Sequence, residues 1–148
     1  MKKPIEDSKE FLDLIRGWKA LEDRTIASAD EITGKTRNPI IRMIMEMIRH
    51  DSEKHKLMQQ MIIDSITKEA LHLSTDELDM LGASLNRHME AEAESIRFAE
   101  QAMKGCEMFV TKFILSYLLA DETKHHDLLK KLDELKVASI ATSTGARV

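Results

Sequence analysis

Several kinds of residue are scarce in this 148-residue chain, and each scarcity closes off a class of protein. Cysteine occurs once, as Cys106. A single thiol excludes an internal disulfide, a Cys-x-x-Cys metal knuckle and a four-thiolate iron centre within the chain. Gly and Pro number five and two, so breaks are few and long helices are favoured over a sheet. No Gly-rich phosphate loop and no nucleophile–base pair is visible. Long apolar runs are missing as well. The most apolar stretch, Phe109 to Ala120, contains Lys112 and is too short to span a bilayer, so no membrane partner is expected. Positive charge is not in excess: the net charge is −4, with acids and bases interspersed. A nucleic-acid surface would need a basic patch, so no nucleic-acid partner is expected. Residues Met1 to Asp7 turn acidic at once and lack the apolar core of a secretory leader, which predicts a cytoplasmic location.

What the chain does have is helical periodicity. Hydrophobic residues make up 43% of it, enough for a core, and the length suits one domain. Phe11, Leu12, Ile15, Trp18, Leu21, Ile26 and Ala29 predict a first helix over 8–33, with Gly34 as its stop. Asn38 followed by Pro39 predicts an N-cap and first helical residue, opening a second helix over 38–68. Its inward row is Met45, Ile48, Ser52, His55, Gln59 and Ile62. Ser74 to Glu77 reads as a capping box for a third helix over 75–104, with Leu78, Leu81, Leu85, His88, Glu92, Ile96 and Ala99 inward. Gly105 ends it, and a fourth helix covers 107–135, leaving 137–148 as a flexible tail.

The chemistry concentrates in the fourth helix. Glu122 and His125 form a Glu-x-x-His pair, one turn apart on one face, in the stripe of Leu115, Leu118, Leu129 and Leu132. A carboxylate and an imidazole are thus aimed at an apolar core. An ionised carboxylate there costs several kcal/mol unless something offsets it, and a bound cation does so. The bland alternative is a partly exposed face that carries an acid and a base.

Sliding the chain against itself by 70 residues shows that the pair is repeated. Asp51, Lys54 and His55 fall on Asp121, Lys124 and His125; Glu22 falls on Glu92, Ile26 on Ile96, Ala29 on Ala99, and Ile15 on the similar Leu85. Most of the inward polar residues coincide, and surface residues mostly do not. The pattern predicts an all-α four-helix bundle, residues 1–136, written as two repeated helical hairpins. Di-iron and di-manganese centres are held in this way, by one Glu from each of two helices and a Glu-x-x-His from each of the other two.

On Leu21 to Ile26, Asp51 to His55, His88 to Ile96 and Asp121 to His126, the chain resembles the ferritin-like superfamily, its rubrerythrin-like members most. The resemblance implies that Glu22 and Glu92 are carboxylate ligands, that Glu122 bridges, and that His55 and His125 each cap one metal. It implies iron, with manganese or zinc as alternatives. It gives Asp51 and Asp121 a supporting role, each accepting a hydrogen bond from the opposite ligand His. The implied activity is that of an oxidase, peroxidase or ferroxidase. The chain holds no four-thiolate centre, so the electron donor would be a separate protein.

The chain departs from that pattern in two places. Ser52 stands where the second bridging Glu belongs, so one protein ligand is lost; His88, one turn before Glu92, offers a substitute. The link is short. His55 to Ile66 and Thr75 to Glu92 together rise about 42 Å along the helix axis. Residues 67–74 reach only about 30 Å when extended. A crossover with shortened helices, hairpins exchanged between chains, and a plain up-down-up-down order all remain open. The short link and the Met-rich second helix (Met43, Met45, Met47, Met58, Met61) together predict a homodimer. The ten Met, for the most part, and Trp18 are expected in the core, while His50, His72 and His126 are expected exposed, and Cys106 passive. The competing readings are a metal-free helical assembly module, which Ser52 favours, and a haemerythrin-like carrier, which His88 and Glu92 suggest.

Overall fold

The computed structural model describes residues 9–68 and 74–144, with side chains described as far as Leu135. Four helices occupy these residues: α1 (Lys9–Lys35), α2 (Pro39–Thr67), α3 (Thr75–Lys104) and α4 (Phe109–Thr144). No strand occurs among the described residues, so the all-α, four-helix expectation holds. The start signals act as read. The Asn38 side chain accepts from the Ile40 and Ile41 amides at 2.9 and 3.3 Å, and Pro39 fills the first helical position, where its missing N–H costs nothing. Ser74 caps α3 by accepting from the Glu77 amide at 3.3 Å. Gly34 does not stop α1, which runs on to Lys35. A glycine costs a helix only about 1 kcal/mol, and Arg42 reaches back to the Thr33 and Thr36 carbonyls that the helix end leaves over. At the other extreme α4 passes the expected end at 135 and continues to Thr144. No Gly or Pro interrupts it before Gly145. Residues 145–148 of the expected tail lie outside the described residues, as do 69–73 of the link and His72 with them.

The chain divides into two compact units, Met1–Leu71 and His72–Val148. Each is a hairpin of two helices, α1 with α2 and α3 with α4. In the first, the buried residues of α1 are Ile15, Glu22 and Ala29, spaced by sevens. In α2 they are Ser52, Gln59 and Ile63. Steps of seven and four are those of a coiled-coil seam, in which two helices bury a narrow stripe against each other. Polar ties outside the seam fix the register. Lys56 pairs with Asp23, Lys19 donates to Gln60 at 2.7 Å, and Arg49 lies 3.8 Å from Asp30. These ties are exposed or half-buried and set alignment more than stability.

The second hairpin repeats this seam. An offset of 70 residues is a whole number of heptads, so Ile15, Glu22, Ala29, Ser52 and Gln59 map onto Leu85, Glu92, Ala99, Glu122 and Leu129, while the buried Ile63 maps onto the exposed Asp133. Leu78 is buried, and Leu85, Glu92, Ile96 and Ala99 on α3 and Leu115, Glu122 and Leu129 on α4 are half-buried.

The stripes predicted from sequence were one position too wide. Trp18, Leu21, Ile48, Ile62, Leu81 and Leu118, expected inward, are 38–53% exposed. His55, His88 and His125 are exposed beside them. These residues flank the seam on one side. Two helices alone bury only the seam; a flank is buried only by further helices. The methionines follow the same rule. None among the described residues is buried, and Met58, Met61, Met80 and Met108 are 54–76% exposed, not core. His126, by contrast, sits on the seam and is half-buried, not exposed.

Candidate metal centre

Glu92 sits mid-way along α3, and the antiparallel partner helix brings Glu122 and His125 beside it. One ligand atom from each of Glu92, Glu122 and His125 lies within 4.8 Å of the others. His125 Nδ1 is 3.7 Å from Glu92 Oε1 and 3.9 Å from Glu122 Oε2. His88 Nε2 contacts the same Glu92 Oε1 at 3.0 Å. The Glu92 side chain is 13% exposed and that of Glu122 26%, whereas the His125 ring is 45% exposed. Among the described residues, no other group of three such side chains gathers this closely.

Two carboxylates this close cannot both ionise freely. The Glu122 carboxyl is pushed above its ordinary range, first by its hydrogen bond to Glu92, then by burial and by the neighbouring charge; the Ser95 hydroxyl and His125 oppose this weakly. Glu92 moves the other way. Its charge is favoured chiefly by the hydrogen bond from Glu122, with His88 and His125 adding to it. As pH falls, Glu122 is therefore the first of the pair to take up a proton, which it donates to Glu92. A divalent cation would take over the proton's role with more charge. Oxygen and imidazole donors about 2.1 Å from a metal stand roughly 3 Å apart. The three donor atoms would have to close by about 1–2 Å, within reach of rotamer changes on a half-open face.

The first hairpin holds a thinner version. His55 Nδ1 lies 3.3 Å from Glu22 Oε1, and the Glu22 side chain is 9% exposed. Ser52, at the seam position equivalent to Glu122, is 3% exposed. Trp18 takes the place of His88, and Gln59 that of Leu129. Gln59 is 3% exposed, and neither its amide nitrogen nor its amide oxygen has a partner. The five expected ligands are thus divided: Glu92, Glu122 and His125 gather in one unit, and Glu22 and His55 pair in the other. Asp51 and Asp121, expected to support ligand histidines, contact Lys54 at 2.5 Å and Lys124 at 2.8 Å on their own helices. Glu53 points away from the seam, to Arg49 at 2.8 Å. The sequence reading assigned no role to Ser95 or to the unpartnered Gln59 amide. The signal for the latter was the mismatch of Gln59 with Leu129 at an offset of 70. Cys106 is half-buried in the α3–α4 turn, its Sγ 3.7 Å from the Met108 carbonyl. No family model, no curated protein and no solved structure matches the chain.

Proposed function

We propose that this protein binds a divalent transition metal through Glu92, Glu122 and His125, with His88 beside them. The observation that carries the reading is the gathering of three donor atoms, two of them carboxylate oxygens, within 4.8 Å of one another. Iron is the first choice, because carboxylate and imidazole donors on helix faces suit Fe(II); Mn(II) and Zn(II) suit the same donors. Bound iron would supply redox chemistry toward oxygen or peroxide, so the activity proposed is that of an oxidase, peroxidase or ferroxidase of the ferritin-like kind. The chain's own residues do the rest. Glu92 and Glu122 would neutralise the cation, and a proton held on Glu122 would leave to solvent as the ion binds. His125 presents Nδ1, and the Ser95 hydroxyl steadies the Glu122 carboxylate in its charged form. Electrons would come from a separate protein, and we place the protein in the cytoplasm as a homodimer.

Elemental analysis of protein purified without chelators tests this. We expect iron, manganese or zinc in near-stoichiometric amount in the wild type and a trace in Glu122→Ala. A metal-free wild type that also takes up none of the three ions would end the reading.

A second reading is favoured by a specific observation. Ser52 and Gln59 stand in the first hairpin where the second has Glu122 and Leu129, leaving Glu22 and His55 as a bare pair. On this reading the polar layer of the first hairpin no longer binds metal, and that hairpin serves assembly.

A further inference from the structure

We propose that the α3/α4 hairpin pairs with the same hairpin of a second copy of the chain, and that the pairing completes a two-metal site. This rests on the metal reading above and says which faces of the two copies meet.

The donor count comes first. A helical two-metal site takes a Glu from each of two helices and a Glu-x-x-His from each of two others. One α3/α4 hairpin carries one of each: Glu92 on α3, and Glu122 with His125 on α4. Alone it offers two carboxylates and, with His88, at most two imidazoles, which suffices for one ion but not for two. Two copies related by a two-fold axis offer four carboxylates and at least two imidazoles. The four negative charges then balance two divalent cations.

The surface comes second. His88 and His125 both approach Glu92, so they share one flank of the hairpin. Leu81 and Leu118 stand seven residues before them and lie on that same flank, 40% and 48% exposed. Phe98, Leu128 and Leu135 extend it, at 63%, 56% and 56%. The opposite flank carries Asn86, Glu100, Thr123 and Lys130, all exposed. Phe109, 84% exposed, shares the flank of Thr123 and Lys130 but opens α4, away from the donors, so beside the donors the apolar surface lies on their open side. The partner that fits must be apolar around its own carboxylates and histidines, and a two-fold axis puts the same patch on both sides. The first hairpin of a second copy would bring one carboxylate fewer, because Ser52 stands at the position of Glu122.

The test uses the full chain with Mn(II) as the probe, read by sedimentation and by electron paramagnetic resonance. We expect two Mn(II) per pair of chains, with the signal of two spin-coupled ions. Leu118→Lys combined with Leu128→Lys should weaken self-association by roughly a hundred-fold or more, since each lost burial of a leucine counts for over tenfold. It should also abolish the coupled signal while leaving helix content intact, because both residues are exposed on the hairpin. Trp18→Lys combined with Ile62→Lys, on the first hairpin, should leave the coupled signal in place. One uncoupled Mn(II) on a monomeric chain would overturn the pairing and leave the metal reading standing. Loss of coupling in the first-hairpin variant alone would overturn it by assigning the partner face elsewhere. No Mn(II) bound by any form would end both.

Discussion

On the proposed function, a proton and a metal ion would compete for the same Glu122 oxygens, and pH would decide the outcome. The Glu122 carboxyl is held above its ordinary 4.5 and that of Glu92 below it. The raised group contributes stability that is complete below 4.5 and is lost as pH rises through its folded value. The depressed group contributes stability present above 4.5 and lost as pH falls through its own. At neutral pH the pair is therefore short of its best arrangement. Glu122→Gln keeps a donor to Glu92 without the charge, so it should raise Tm at pH 7 while weakening metal binding. In the wild type, Mn(II) affinity should climb with pH through the raised Glu122 range and then flatten. Calorimetry in two buffers of different ionisation enthalpy should show up to one proton released per ion in the climb. A pH-independent affinity would contradict the competition at Glu122. Gln59 provides a second test. Its buried amide lacks partners, and such a group costs about 1–3 kcal/mol. Gln59→Leu, the residue the repeat carries at 129, should stabilise the chain by a like amount in urea denaturation. A loss of stability would show that the amide has a function.

Among the elements, the caps and the seams carry different lessons. Asn38→Ala should cost about 1 kcal/mol, the usual worth of an N-cap, and this is measurable by thermal unfolding. Helix starts were legible in the sequence because capping is local chemistry: Asn38, Pro39 and Ser74 each act within three residues of themselves. Helix ends were less legible. Gly34 was a plausible stop, but whether α1 ended there depended on Arg42, nine residues away, which caps the Thr33 carbonyl. The inward faces were half legible. Apolar side chains at three- and four-residue steps identify a stripe but not which helices cover it. Ile15, Glu22 and Ala29 are buried by α2, while Trp18 and Leu21, one step aside, stay open. The pair of Glu92 with Glu122 and His125 was legible through the repeat, since like heptad positions in two hairpins meet like partners. The Ser95 contact and the position of Gln59 depend on side-chain packing that spacing does not encode.

For the whole molecule, the internal repeat sets both the architecture and its asymmetry. Two hairpins share most of one seam pattern at an offset of 70 residues, yet one gathers three carboxylate and imidazole side chains and the other two. The difference at the bridging position is the single residue Ser52. Ser52→Glu should give Glu22 and His55 a third donor and raise the number of ions bound per chain, read by elemental analysis. An unchanged stoichiometry would show that the first hairpin lacks more than one carboxylate. The second hairpin carries the central claim, and titration calorimetry with Mn(II) tests it most directly. Wild type, Glu122→Ala and the control Lys130→Ala are compared at pH 7. The account predicts saturable binding in the wild type and the control, and none in Glu122→Ala. Equal binding by all three proteins, or by none, would contradict it.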